Sequence, residues 1–268
     1  MSGTSLELLE ADMFLYMRQM NDLKMLLGTK VSKPMRQAYL NLMGKDNVEN
    51  PTNLSGQVLT QDDLEQSRED PFWHAPINVY HGALFTYFGD HEQQVDMLVR
   101  DGHRYVAKTQ CAAPHVMVNT YLKGVSCFAL ARKTGKRKFA KMGQKCRADV
   151  KTWLDKGNPN VKHQESLLDA ELLAYNGRKF AAIKQYEAAI LLAARGGYQQ
   201  DAALACERLG EFQLQVMNDH DEARYRLEEA IKYWKSWGAL AKVNQLHNKY
   251  DELLSSSQPL EIVALNIN

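Results

Sequence analysis

Nine basic side chains crowd residues 132–151: Arg132, Lys133, Lys136, Arg137, Lys138, Lys141, Lys145, Arg147 and Lys151. Cations at this density can hold phosphate groups, nucleic acid or a carboxylate-rich protein surface. Few aromatic residues are interleaved with them. Phe139 and Trp153 sit where a core-facing stripe would run, so the pattern gives no support for base stacking and argues against nucleic acid. The bland reading is a solvated face paired with acidic neighbours from 163–175. The functional reading makes Arg132, Lys133, Lys136, Arg137, Lys138, Lys141 and Lys145 the docking surface for an acidic protein partner.

Other chemistry-bearing residues are dispersed. His74, His81, His91, His103, His115, His163, His220 and His247 form no metal-ligand spacing. His74 and His81 are seven apart and would share a helix face, but Pro76 lies between them. Asp90-His91 reads as a helix start after Gly89. Glu165, Asp169 and Glu171 read as a helix cap and its solvated face. Phosphate-cradling glycine loops, HExxH and GxSxG are absent from the sequence. The sequence therefore assigns no catalytic, cofactor-binding or metal-binding residue. Two further readings stay open. One is a small-molecule sensor or enzyme site among the N-terminal hairpins, with Tyr80, His81, Tyr87, His91 and His103 as its polar residues. The other is a phosphate or nucleic-acid binder using 132–151.

The charge is segmented rather than large. Residues 1–100 carry a net −6, residues 101–162 a net +11 and residues 163–268 a net −4, which leaves the chain at +1. Cys111, Cys127, Cys146 and Cys206 form no CxxC, so reduced, mostly buried thiols and a cytoplasmic location are expected. No run of 18 apolar residues suggests a membrane span. MSGTSLELLEAD has neither the charged start nor the apolar run of a secretory leader.

The elements that must position these residues are helices. Three-and-four spacing marks Leu168, Leu172 and Tyr175, then Phe180, Ile183, Ile190 and Ala194, then Leu209, Phe212 and Val216. Ala223, Leu227, Ala230, Ile231 and Trp234 follow, and then Leu240, Val243, Leu246, Tyr250 and Leu253. Turns of two to four residues at Asn176-Gly177, Gly196-Gly197 and Asn218–Asp221 force neighbouring helices antiparallel. Asp219 with Glu222 has capping-box spacing. KFAKMGQKCRAD at Lys138 and KFAAIKQYEAAI at Lys179 are offset by 41, and a further 41 takes Ala182, Tyr186 and Ala189 to Ala223, Leu227 and Ala230. This small–large–small stripe resembles that of a tetratricopeptide (TPR) unit, at a longer period. Helices are also predicted over 6–27, 34–43, 78–88, 91–108, 112–131 and 137–155. Pro114 fits a first turn, and Leu23, Leu26 and Leu27 suggest burial. In KSWGALAKVNQLHNKY, residues 235–250, Trp237-Gly238-Ala239 breaks two helical stretches. We read Trp234, Trp237, Gly238 and Ala239 as a structural corner, with Lys242 facing away from the Leu240/Val243/Leu246 stripe.

The expected fold is therefore all-α, tandem antiparallel helical hairpins in a TPR-like superhelical array. Residues 1–60 form an N-terminal helical part with an irregular, mobile surface loop at 44–61. The array spans 61–254, and 255–268 reads as a linker-like tail.

YEAAILLAARGGYQQDAALACERLGEFQLQ (186–215), EARYRLEEAIKYWKSWGALAKVNQLHNKYDELL (222–254) and NPNVKHQESLLDAELLA (158–174) together resemble a particular helical region. So do YFGDHEQQ at 87–94 and LSGQVL at 54–59. It is the TPR-like segment of large multidomain signalling ATPases and hybrid histidine kinases, in which a protein-kinase-like domain and a P-loop ATPase precede it and GAF and histidine-kinase domains often follow. The resemblance covers roughly 10–254. It implies a non-catalytic scaffold or relay for protein or interdomain contacts, without cofactor. The kinase and ATPase motifs of those proteins do not occur in these residues, so the resemblance carries over no activity.

Overall fold

The computed structural model describes residues 3–101 and 115–255. The predicted features at Cys111, His103, Pro114, residues 102–108 and the 256–268 tail lie outside the described residues. Among the described residues the chain is helix and turn, with no strand. The order is α1 (Leu6–Asp22), α2 (Leu26–Met43), α3 (Gln61–Ser67), α4 (Pro71–Tyr87), α5 (His91–Asp101), α6 (His115–Thr134) and α7 (Arg137–Asp155). After a 3-10 turn at Pro159–Val161 come α8 (Lys162–Tyr175), α9 (Lys179–Arg195), α10 (Gln199–Phe212), α11 (His220–Trp237), α12 (Leu240–Lys249) and α13 (Asp251–Ser255).

From α6 onward the helices pack as hairpins. α6 lies against α7, α8 against α9, and α10 against α11. The second helix of each pair is amphipathic. On α9 only Ala182, Tyr186, Ala189, Ile190 and Ala193 are buried, and on α11 only Ala223, Leu227, Ala230, Trp234 and Trp237. The small–large–small stripe is thus the packing face, because alanines let the partner helix approach while the bulky residue fills the gap between them. α9 and α11 begin at 179 and 220, keeping the 41-residue offset. Asp219 caps α11 by accepting from the Glu222 N–H at 3.0 Å. Phe180, assigned to the α9 stripe from spacing, instead points out and is 76% exposed.

The first helices behave differently. On α10 every residue from Gln200 to Phe212 is buried, and on α6 every residue from Asn119 to Ala131. They are covered on both sides. α7 packs on one side of α6, and α4 and α5 pack on another. Gly124 sits where a Cβ would meet a Leu168 methyl at 2.7 Å, so the residue that weakens α6 locally is what lets α8 approach.

The N-terminal helices close against the later hairpins. Tyr87, at the end of α4, meets the rings of Trp234 and Trp237 edge-on, at 5.3 and 6.0 Å. Gln245 of α12 donates to the Phe88 carbonyl at 2.7 Å. α2 packs on α4 and α12. One buried cluster runs from Leu6 to Tyr250, so residues 1–60 and 61–254 share a core.

Several expectations in this half are corrected. α1 stops at Asp22, and Leu23, Leu26 and Leu27 at the following corner are exposed. α2 starts at Leu26, eight residues before the predicted 34. The 44–61 stretch is irregular, yet it is stitched down. Asn41 Nδ2 donates to the carbonyls of Pro51 and Asn53, and Gln37 Oε1 accepts from the N–H groups of Val58 and Leu59. Leu54 and Leu59 are fully buried. Its final residue, Gln61, opens α3, which Thr60 and Asp63 cap reciprocally. α4 runs straight through Pro76. An interior proline costs about 3 kcal/mol, and burial of α4 on nearly every side offsets it.

Candidate functional site

The basic band divides into three groups. Arg132, counted with the docking cations by its position in the sequence, turns inward. Its guanidinium lies 3.5 Å from buried Glu171, donates to the Tyr186 hydroxyl at 3.2 Å and covers the Phe212 ring. Arg147 pairs with Asp169, and Lys151 with Asp155. Lys133, Lys136, Arg137, Lys138, Lys141 and Lys145 are exposed and take part in no ion pair among the described residues. Neutralisation by 163–175 therefore reaches only Arg132 and Arg147, while Lys151 pairs within α7.

The unpaired group borders a groove. The first turns of α7 face the end of α8 across a cavity of about 520 Å³, lined by Arg137, Lys138, Lys141, Gln144, Tyr175 and Asn176. No carboxylate lines it. The α7 start carries no acidic residue in its first turn and no side-chain cap, so the positive end of the helix dipole adds to the side-chain charge. This arrangement can bind an anionic surface.

A second constellation is interior, and sequence reasoning missed it. Arg208 on α10 donates through Nε to Glu171 Oε1 at 2.7 Å and through Nη1 to Glu211. Glu211 also accepts from Lys249 Nζ at 2.7 Å and the Tyr250 hydroxyl at 2.9 Å. Lys242 Nζ lies 2.7 Å from Glu207, whose other oxygen accepts from the Trp234 indole N–H at 3.3 Å. The helices α6, α8, α10 and α12 are thus tied through charge. Lys242, assigned to the outer side of α12, is 1% exposed, while Leu240 of the supposed stripe points out. Glu171, assigned to a solvated face, is fully buried. Apart from Arg208–Glu211, three residues apart on α10, the partners are 27 to 39 residues apart, so no local spacing announces them.

No family model, curated protein or solved structure matches this chain.

The remaining sequence candidates do not converge. Tyr80 is buried in the core, Tyr87 sits on the tryptophans and His91 Nδ1 lies 3.0 Å from Ser126 Oγ on α6. His81 instead borders a cavity with His74, since α4 continues through Pro76 and sets both on one face. A buried His163–Asp201 pair at 2.8 Å, stacked on Tyr198, was also not legible from spacing. Cys127, Cys146 and Cys206 are buried free thiols, and burial raises all three above the ordinary thiol range. Among the described residues no group of three His, Cys, Asp or Glu side chains is placed to hold a metal ion, and no helix is long and apolar enough to cross a membrane. The corner is formed by Trp234 and Trp237, both buried, with Gly238 at φ +94°, a conformation that costs other residues strain.

The interior charges predict an acid-labile fold. Burial alone would raise the Glu171 and Glu211 carboxyls. Arg132 and Arg208 reverse this for Glu171, and Arg208 and Lys249 for Glu211, so both end below the ordinary range. Burial holds the His81 imidazole down at about 4 and also lowers His91, with Arg208 adding to the latter. Groups depressed in the folded state contribute stability above their unfolded values and lose it as pH falls. The melting temperature should therefore decline below about pH 6.5, as unfolded histidines take up protons, and more steeply below about 4.3. Circular dichroism melts between pH 8 and 3 check this, and a melting temperature that rises on acidification contradicts it.

Proposed function

We propose that the chain is a TPR-like helical module that works as a non-catalytic cytoplasmic scaffold or relay. Its α7–α8 groove docks an acidic segment of a protein partner or a neighbouring domain. The observation that carries this reading is the groove bordered by Arg137, Lys138 and Lys141, cations without an internal counter-charge. A peptide lying along the inner helices, the usual mode expected of a concave array, is disfavoured because α4 and α5 already cover α6. The resemblance to the helical region of signalling ATPases and hybrid histidine kinases supports a relay between domains. Hairpins joined by a continuous core suit such work, because a push on one unit is felt by its neighbours.

The test compares the 1–268 chain with a variant carrying Lys136→Glu, Arg137→Glu, Lys138→Glu and Lys141→Glu, after circular dichroism shows both folded. The probe is a fluorescein-labelled Asp/Glu-rich peptide, with a DNA duplex as comparator. Four exposed pairs at about 0.2–1 kcal/mol each predict weakening of about fourfold or more in the variant. Equal affinity in both proteins removes the groove from the proposal. Preferential and steeply salt-dependent capture of the duplex moves the assignment to nucleic acid.

A further inference from the structure

A second cavity lies away from this groove, between α3, α4 and α5, and measures about 610 Å³. That is within the range of small-molecule sites. Its chemistry is set by helical spacing. Asn78, His81 and Phe85 follow one another at three and four residues along α4 and present to the same side. Met97 and Arg100 approach from α5, and Arg68 from the end of α3. Among the described residues no carboxylate borders the space.

Three observations distinguish it from an ordinary packing gap. Arg68 and Arg100 both border the cavity, and neither is in an ion pair among the described residues. Asn78 is 8% exposed, and its amide at the cavity wall takes part in no hydrogen bond among the described residues, so it is open to whatever enters the space. The apolar part of the lining is Leu64, Ile77, Phe85 and Met97, with His81 stacked on Phe85 at a centroid distance of 4.3 Å. The His81 ring holds a hydrogen bond to the Thr52 backbone and is neutral, so the positive charge here comes from the arginines.

We propose that this cavity binds a small organic monocarboxylate. Arg68 and Arg100 take the carboxylate, Asn78 hydrogen-bonds its inner oxygen or a neighbouring polar atom, and the apolar body lies against Phe85, His81 and Met97. Guanidinium groups match the two oxygens of a carboxylate in geometry as well as charge. A monoanion suits the site better than a phosphate dianion, since half of the lining is apolar and the second charge would be desolvated without a third cation.

The experiment is fluorine NMR on the full chain, with 4-fluorophenylacetate as probe and 4-fluorophenylacetamide as its uncharged twin. The acid is expected to broaden on adding protein and to bind about tenfold or more tightly than the amide, the worth of one charge-assisted hydrogen bond. Arg68→Gln and Arg100→Gln, both at exposed positions, should each weaken the acid by about tenfold while leaving the fold intact. Asn78→Leu, close in volume, should weaken it less and confirms that the ligand enters the cavity. Equal binding of acid and amide, unchanged binding in both arginine variants, or no broadening at any probe concentration overturns the assignment. The α7 charge-reversal variant should bind the probe like wild type, which keeps this site separable from the docking groove.

Discussion

Arg208→Met is expected to lower the free energy of unfolding by about 3–5 kcal/mol, the cost of leaving buried charge without its partner. Arg208 serves two carboxylates at once. Glu171 is fully buried and Glu211 nearly so. Once the guanidinium is gone, Glu171 keeps Arg132, at 3.5 Å, and the Tyr186 hydroxyl, and Glu211 keeps the half-solvated Lys249 with the Tyr250 hydroxyl. Those residual contacts place the expected loss nearer the lower end of the range. Methionine fills most of the arginine's apolar stem, so the loss reads charge rather than a cavity. Urea unfolding followed by circular dichroism measures it. Combining Arg208→Met with Arg132→Leu, Glu171→Leu and Glu211→Met should restore most of the stability, because a buried ion cluster replaced together by apolar side chains is close to neutral. A single-variant loss under about 1 kcal/mol would show that water already solvates the two glutamates.

Trp237→Ala should cost a similar amount, about 3–5 kcal/mol, for a different reason. Trp237 is 1% exposed, tilted against Trp234 at 5.9 Å and edge-on to Tyr87 at 6.0 Å. It therefore joins the last hairpins to α4, and alanine would leave a void at the junction of the two halves. Its indole N–H has no hydrogen-bond partner. Trp237→Phe should accordingly lose volume but no bond, and cost about 1–2 kcal/mol. The ratio between the two variants is the informative quantity. Equal losses would mean that the indole nitrogen, rather than packing, holds the corner. Near-zero losses in both would mean that the N-terminal helices do not depend on this contact.

The parts that proved readable share a physical feature. On α9 and α11 the alanine–bulky–alanine stripes face one partner and leave the opposite side to solvent, so burial imprints a 3.6-residue period. Gly238 after Trp237 marks a corner, because few residues accept that backbone conformation. The inner helices carry no such imprint. α10 is buried from Gln200 to Phe212, polar and charged residues included, so its sequence looks like a solvated helix although water scarcely reaches it. Leu240 and Phe180 fail in the opposite sense, since an apolar residue at the right spacing can still face outward when no helix arrives to cover it. Pro76 misleads because its local cost is a few kcal/mol at most, and tertiary packing of α4 outweighs it.

For the candidate sites the division is similar. The density of cations in 132–151 is a property of the chain alone, and it gave the docking reading its location. Whether each cation is free depends on which carboxylates the fold delivers. Arg132 goes to Glu171, Arg147 to Asp169, and Arg137, Lys138 and Lys141 receive none. The cavity of Arg68, Asn78 and Arg100 was invisible for the same reason, being assembled from three helices whose local patterns are unremarkable. By itself, then, the sequence determined the helices, their short antiparallel connections and where positive charge accumulates, because those follow from contacts within a few residues. Only the tertiary structure decided which charges are neutralised and which faces remain open, because those energies depend on partners brought together from tens of residues away.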